Sequence, residues 1–190
     1  MELLKQRILS EGSVVNDQVL KVDALLNHQV DPELIMEMGR EFARRFREER
    51  ITRVITVESS GISVAFATAL ELGVPMVFAR RKKSVTTDSD AYCERVPSFT
   101  KGIVTDIMVS KKFLNADDRV LFVDDIIANG DAAQGLVRII RTAGAHLAGM
   151  GVVLEKTFQA GGAAIREQGI RLETLVKISS LSDQTIRFED

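Results

Sequence analysis

Short aliphatic and β-branched runs alternate along the chain with segments whose apolar residues recur at helical spacing. The runs predict strands at residues 51–57, 74–79, 120–123, 147–154 and 172–178. The helical spacing predicts helices at residues 33–48, 63–72, 132–143 and 162–168. Strands that alternate with helices indicate an α/β fold, with a mainly parallel twisted sheet flanked by helices.

The carboxyl ends of the predicted strands are where we expect the chemistry. In open parallel sheets a ligand lies beyond these ends, in the loops that lead into the helices. The loops in question follow residues 57, 79, 123 and 154. Each of them carries charged or hydroxyl side chains.

The most informative stretch is residues 120–133, which join a buried strand to a helix. Asp124 and Asp125 come directly after the apolar run, where we expect the strand to end. The loop that follows is rich in small and turn-forming residues, and free N–H groups at the start of the helix can bind phosphate. Its residues are Ala128, Asn129, Gly130, Asp131 and Ala132. The Gly-Lys-Ser/Thr of a P-loop and the Gly-x-Gly-x-x-Gly of a dinucleotide site are both absent from this stretch.

Two other loops carry groups that suit a charged ligand. The first is an acidic, hydroxyl-rich turn into a helix, and it predicts a second anion site, although a simple capped turn is the alternative. It consists of Glu58, Ser59, Ser60 and Gly61. The second begins with four cations at residues 80–83, the first three being Arg80, Arg81 and Lys82, and continues as a long polar segment in which residues 103–109 predict a strand. Such a segment is typical of a functional lid, although four consecutive cations are more often a solvated surface.

Composition narrows the class of protein. The 190 residues are 45% apolar and 27% charged with a net charge of −2, which is typical of one globular domain. The charge gives no reason to expect nucleic acid as a partner, and no apolar run reaches the roughly 20 residues of a membrane span. A single cysteine, Cys93, allows no internal disulfide, so we expect a cytoplasmic protein.

Residues 120–133 closely resemble the phosphoribosyl pyrophosphate (PRPP) motif of the type I phosphoribosyltransferases, although Ala128 and Asn129 stand where many members carry Thr. The resemblance implies the fold of that family, with a small N-terminal hood at residues 1–31 and a flexible lid at about 80–112. It also implies that Asp124 and Asp125 are catalytic, that residues 128–132 hold PRPP and that residues 58–61 hold its diphosphate. Mg²⁺ is expected on the substrate rather than in a protein cage, with no organic cofactor.

The N-terminal segment, the Arg-rich run and Lys156 resemble the bacterial xanthine-specific branch of the family across nearly the whole chain. This resemblance implies that Leu20, Asn27 and Lys156 bind xanthine, and that the protein is a homodimer. The chemistry agrees, because an ammonium group suits a base that is rich in carbonyl oxygens.

Two alternatives remain open. Within the family, the base could be guanine, hypoxanthine or adenine. Outside enzymes, purine-operon repressors resemble this domain and bind PRPP without catalysis, but they need a DNA-binding module. A basic helix-turn-helix segment is not found in this sequence, which favours the enzyme.

Overall fold

A central sheet carries the predicted strands in the computed structural model, which describes residues 1–81, 90–98 and 103–189. In chain order, the main elements are α1 (Glu2–Glu11), β1 (Ser13–Asn16), β2 (Val19–Lys21), α2 (Pro32–Phe46), β3 (Arg53–Val57), α3 (Gly61–Leu72), β4 (Met76–Ala79), β5 (Ala91–Ser98), β6 (Ile103–Ser110), β7 (Arg119–Ile127), α4 (Asp131–Thr142), β8 (His146–Lys156), α5 (Gly161–Glu167), β9 (Leu172–Ser180) and β10 (Arg187–Glu189).

The six-stranded sheet has the order β10-β9-β8-β7-β3-β4. All its neighbouring strands are parallel except β10, which runs antiparallel to β9 at the edge. The predicted mainly parallel sheet flanked by helices is therefore confirmed.

Alternate residues of the central strands enter two separate hydrophobic cores, as the pleat of a strand requires. Leu121 and Val123 of β7 pack in one core with side chains of α2 and α3. Val120 and Phe122 pack in the other core with side chains of α4. Both faces of the sheet are covered, which explains why the strands appear in the sequence as continuous apolar runs.

Strand β7 is longer than predicted. The sequence indicated an end at Val123, but the ladder to β8 continues to the pair Ile127 and Glu155. The acid pair therefore lies within a strand rather than in a loop. Ile126 and Ile127 are β-branched and maintain the strand beyond the carboxylates, a preference that the sequence analysis did not use.

The N-terminal segment folds over the carboxyl edge of the sheet. Strands β1 and β2 form an antiparallel hairpin, followed by a π-helical turn at Asp23–Asn27. These short elements have no regular apolar period, which is why the sequence predicted only a cap here.

Between β4 and β7 the structure has an antiparallel hairpin of β5 and β6. The strand predicted at 103–109 is present, and its partner β5 was missed within the polar segment. The hairpin packs on α4, where Glu94 accepts a 2.8 Å hydrogen bond from Arg138. Residues 82–89 and 99–102, and with them Lys82 of the predicted lid, lie outside the described residues.

None of the helices that the structure describes is long and apolar enough to cross a membrane.

Candidate active site

The loops after β3, β4, β7 and β8 meet at the carboxyl edge of the sheet. A cavity of about 220 Å³ opens there beside the end of β7. Its lining comes mostly from the end of β7, the loop after it and the first turn of α4, joined by Arg81 after β4, Pro97 of β5 and Met150 of β8. The lining residues are Arg81, Pro97, Asp124, Ile126, Ile127, Ala128, Asn129, Gly130, Asp131, Ala132, Ala133 and Met150.

Asp124 is buried at the edge of this cavity and is 8% exposed. Its Oδ1 accepts a hydrogen bond of 3.0 Å from the backbone N–H of Asp125, and Asp125 Oδ2 accepts one of 2.5 Å from the Ser60 hydroxyl. Burial raises the pKa of Asp124 well above its ordinary value, and the negative charge of Asp125 adds to the increase. A buried carboxyl whose pKa is raised is typical of a functional site.

Gly61 makes room for the buried acid. A Cβ at this position would collide with Asp124 Oδ1 and would lie 2.9 Å from the hydroxyl of Thr56. That hydroxyl is buried and has no hydrogen-bond partner among the described residues. Gly61 was predicted as part of an anion-binding turn, and the structure gives it this packing role as well.

The loop after β7 turns sharply into α4. Gly130 has a φ of +83° and occupies the N-cap position, without a side-chain cap. The sequence predicts a helix start at residue 132, and α4 begins one residue earlier, at Asp131, directly after this glycine. A glycine N-cap leaves the first N–H groups of α4 uncovered and facing the cavity side of the loop, where an anion can bind.

Helix α5 supports this loop from behind, a contact that the sequence analysis missed. The backbone N–H of Gly161 donates to the carbonyl of Ala128 at 2.9 Å. A Cβ on Gly130 would lie 2.9 Å from Gly161 Cα, so the two glycines allow backbones to pack directly. The pair Gly161 and Gly162 at the helix start was the available sequence signal.

An ion pair between the exposed Arg166 and the buried Glu155 anchors α5. Arg166 donates to both carboxylate oxygens of Glu155, at 2.5 and 2.7 Å, and Glu155 is almost fully buried. The pair raises the pKa of Arg166. Because Glu155 directly precedes Lys156 on β8, this ion pair connects helix α5, which packs against the loop after β7, to the last residue of β8.

The structure brings the loop at residues 58–61 to the start of the predicted lid. Glu58 Oε2 accepts a hydrogen bond of 3.0 Å from the backbone of Arg81, and Glu58 Oε1 lies 3.3 Å from Arg80 Nε. Ser60 reaches the acid pair as described above, and Ser59 turns back to the carbonyl of Val57 at 3.5 Å. The two strand-end loops therefore form one continuous polar surface with the acids.

Of the three predicted base-binding residues, Lys156 ends β8, and Leu20 and Asn27 lie in the N-terminal segment. Lys156 is 8% exposed, and its Nζ donates to the carbonyl of Gln18 at 2.5 Å. Burial lowers the pKa of Lys156. Leu20 is buried in β2, whereas Asn27 is exposed and its amide donates to Asp23 at 2.9 Å within the π-helical turn. Gln18 was not predicted, because a polar residue in a hairpin turn carries no distinctive sequence signal.

Known proteins show the class to which this fold and site belong. The phosphoribosyl transferase domain family matches residues 22–167, and the chain belongs to this family of pentosyltransferases.

Among curated relatives, the chain is similar to xanthine phosphoribosyltransferase of Moorella thermoacetica, at 55% identity over 99% of this chain and 96% of the relative. The xanthine phosphoribosyltransferase of Bacillus cytotoxicus is 53% identical over 99% of this chain and 95% of its own.

Solved structures agree on the fold. An adenine phosphoribosyl transferase from Trypanosoma brucei, in complex with AMP, pyrophosphate and ribose-5-phosphate, superposes with a TM-score of 0.75 at 21% identity, covering 92% of this chain and 79% of that one. The adenine phosphoribosyltransferase from Rhodothermus marinus gives a TM-score of 0.74 at 22% identity, covering 94% of this chain and all of that one. At such identities the likeness shows the fold alone.

We expect Asp124→Asn to raise the thermal stability of the protein at neutral pH. The folded-state pKa of Asp124 is raised above 3.8, so the wild type loses stability as pH rises from that value towards the folded-state pKa. The amide does not ionise and avoids this loss. The gain in Tm over wild type should therefore grow as pH rises from about 4 and then level off. Calorimetry over this pH range measures it.

The exposed Asp117 provides a control, because Asp117→Asn makes the same change of side chain at the surface, away from the buried acid. A Tm for Asp124→Asn at or below that of wild type at every pH would contradict the burial argument.

We expect Gly130→Ala to weaken binding of an anionic ligand at the α4 N-terminus by at least about tenfold. A side chain at φ +83° costs roughly 1–2 kcal/mol of backbone strain, and its Cβ presses on Gly161. Titration calorimetry with PRPP checks this result on the folded variant. Gly169→Ala is the matched control, since Gly169 also has a positive φ but its Cβ would meet open space. Equal PRPP affinities for the two variants would show that this loop is not part of the PRPP site.

Proposed function

We propose that this protein transfers the 5-phosphoribosyl group of PRPP to xanthine, giving xanthosine 5'-monophosphate and pyrophosphate in purine salvage. The observation that carries the proposal is the acid pair of β7, with Asp124 buried, beside the glycine-capped N-terminus of α4. Relatives that are 53–55% identical over nearly the whole chain and are named xanthine phosphoribosyltransferase support the choice of base.

PRPP would lie along the carboxyl edge of the sheet. Its 5-phosphate would bind the N–H groups of residues 128–132, where the helix terminus favours negative charge. Its diphosphate would bind the loop at residues 58–61, with Arg80 and Arg81 beside it to neutralise the leaving group. Lys82 is assigned the same role from the sequence alone.

Asp124 and Asp125 would serve the ribose between these two anion sites. Carboxylate oxygens accept hydrogen bonds from the 2- and 3-hydroxyls, and they place negative potential beside the positive charge that develops on the ribose as diphosphate departs. The raised pKa of Asp124 makes it the better candidate to accept a proton from the attacking base. We therefore propose both acids as catalytic residues.

The donor set also fits Mg²⁺ that arrives on the substrate. Among the described residues, no group of three or more His, Cys, Asp or Glu side chains gathers to form a protein cage. Mg²⁺ is usually bound by one or two carboxylates together with substrate phosphates and water, and the two adjacent acids beside the proposed diphosphate site offer that arrangement. When bound, the ion would neutralise charge on the diphosphate.

The base would bind between the hood and the end of β8. Lys156 can only donate hydrogen bonds, so it suits a carbonyl oxygen of xanthine and opposes the exocyclic amino group of adenine. Leu20 contributes an apolar wall, and Asn27 can turn its amide from Asp23 towards the 2-oxo group. We assign residues 1–31 to the hood that covers the base, and residues 80–112 to the lid that excludes water.

A second copy of the chain would cover α3. This helix is apolar all round, with Glu71 as its one charged residue, which is typical of a helix that is buried on every side. Its inner face packs in the core, yet Phe66 and Leu70 on the outer face are each 58% exposed. Exposed apolar groups of this size mark interaction surfaces, and a two-fold dimer would bury the same patch twice.

With PRPP and Mg²⁺ present, we expect xanthine to be the preferred base, ahead of hypoxanthine and guanine, with adenine almost inactive. A hydrogen-bonding site left unpaired can discriminate by up to roughly 10⁴-fold. Lys156→Met should raise KM for xanthine by at least about tenfold while KM for PRPP stays near wild type, because the methionine keeps the buried stem but not the donor. Following nucleotide formation over the panel of bases measures both effects.

Lys177→Met is the control for the base panel, since Lys177 lies on the neighbouring strand and pairs with Glu189 away from the base. Adenine as the best substrate would overturn the base assignment and leave the phosphoribosyl chemistry intact. A wild-type protein that forms a nucleotide from none of these purines would overturn the proposed function.

We expect Phe66→Asp to convert a dimer into a 21.0 kDa monomer, because a carboxylate in an apolar interface is costly to desolvate. Light scattering after size-exclusion chromatography measures the mass. Leu9→Asp is the matched control, as Leu9 on α1 is 60% exposed and lies outside the α3 patch. A Phe66→Asp protein that keeps the mass of a dimer would place the interface elsewhere.

A further inference from the structure

Gln18, in the turn of the hood hairpin, connects the hood to the end of β8. Its backbone carbonyl accepts the hydrogen bond from Lys156 Nζ, at 2.5 Å. Its side-chain Oε1 accepts a second hydrogen bond from Gln159 Nε2, at 2.7 Å. Its own backbone N–H donates to Asn16 Oδ1 at 2.9 Å, which fixes the turn. Lys156 and Gln159 are thus held against one residue of the hood.

The chain between these two side chains is a tight turn. The backbone N–H of Gln159 donates to the carbonyl of Lys156 at 3.0 Å. This bond closes a turn just after β8 and keeps Gln159 beside the hood residue that Lys156 also contacts. The base pocket assigned to Lys156 therefore has Gln159 as its neighbour.

One end of the Gln159 amide has no partner. Nε2 is engaged by Gln18, whereas Oε1 is buried and accepts no hydrogen bond from any of the residues that the structure describes. Buried polar atoms are nearly always hydrogen-bonded, so an unpaired acceptor in a proposed binding region calls for a donor that the described residues do not supply. Gln18 prevents the amide from turning away to find another donor.

We propose that Gln159 is a further specificity-determining residue, whose free Oε1 accepts a ring N–H of the purine base. The inference rests on the proposed function, because it places the base beside Lys156. Gln18 is the positioning residue that orients the amide.

The two side chains together match the chemistry of an oxopurine. Lys156 offers only donors and Gln159 Oε1 offers an acceptor, so the pair is complementary to a carbonyl next to an N–H. Each carbonyl of xanthine has such an N–H beside it. Adenine presents the opposite order on its six-membered ring, where an amino donor stands next to an unprotonated nitrogen. Gln159 therefore adds to the selection for an oxopurine that Lys156 already provides.

The test compares xanthine with 1-methyl-, 3-methyl- and 7-methylxanthine as competing ligands of the full chain, in the presence of PRPP and Mg²⁺. For the wild type, methylation at the nitrogen that Gln159 contacts removes the hydrogen bond and crowds the amide. In Gln159→Ala we expect KM for xanthine to rise at least about tenfold, with KM for PRPP within twofold. The loss of affinity that one of the three methyl groups causes should be at least about tenfold smaller in this variant than in the wild type, because the Gln159 amide that the methyl group meets is gone.

Gln159→Asn is a second variant that keeps the amide but shortens its reach, and we expect it to behave like Gln159→Ala. Gln168→Ala is the matched control, as the Gln168 side chain accepts from Arg141 and donates to the carbonyl of Ala164, neither of which is assigned to the base site. We expect Gln168→Ala to leave all of these values unchanged.

A purely structural role would weaken every base equally, or change KM for PRPP as much as that for xanthine. Either result overturns the assignment of Gln159, as does an unchanged KM for xanthine in both variants. If the wild type transfers the phosphoribosyl group to xanthine, such a result overturns the assignment of Gln159 and leaves the proposed function in place. A wild type that uses no purine would overturn the proposed function and this inference together.

Discussion

Parallel pairing of β7 with β8 sets most of the distances in the candidate site. Their register places Asp124 opposite Val152 and Ile127 opposite Glu155, so both strands extend past the cores to the same edge. One strand delivers the acids and the loop after it, and the other delivers Lys156 and the turn that carries Gln159. A shift of one residue in either strand would turn these side chains towards the opposite face of the sheet. The two cores disfavour such a shift, because it would remove Leu121 and Val123 from the core in which they pack.

Close backbone packing is the second requirement of this edge. Gly61 leaves space for Asp124, and Gly130 touches Gly161 with no side chain between them. At these three positions the missing Cβ brings two loops and a helix start nearer than other residues allow. The cost is backbone entropy and a destabilising buried acid, which the two hydrophobic cores offset. Stability is therefore lowered at the place where the chemistry is expected, as is common for functional sites.

The sequence predicted what depends on local pattern, and it failed where contacts join distant segments. The α/β order, the helices and the gathering of loops at residues 58–61, 80–81 and 124–132 all follow from apolar periodicity and from the geometry of parallel sheets. Three contacts join residues that are far apart in sequence or ordinary in type: Gly161 with the loop after β7, Glu155 with Arg166, and Gln18 with Lys156. Strand β5 was missed because its exposed residues are polar. The predicted end of β7 came too early because Asp124 and Asp125 indicated a loop, although Ile126 and Ile127 favour a strand.

The electrostatics of the site suggest why it should bind its substrates together. Burial raises the pKa of Asp124 and lowers that of Lys156, so both groups are displaced towards their neutral forms. No carboxylate pairs with Lys156 in the part of the chain that the structure describes, and its partner is a neutral carbonyl of the hood. An electron-rich oxopurine would stabilise the ammonium, and a ribose that develops positive charge would stabilise the carboxylate. Each proposed substrate thus offers an opposite charge that favours the ionised form of one of these groups, and the hydrogen bond to Gln18 would hold the lysine in place before the base binds.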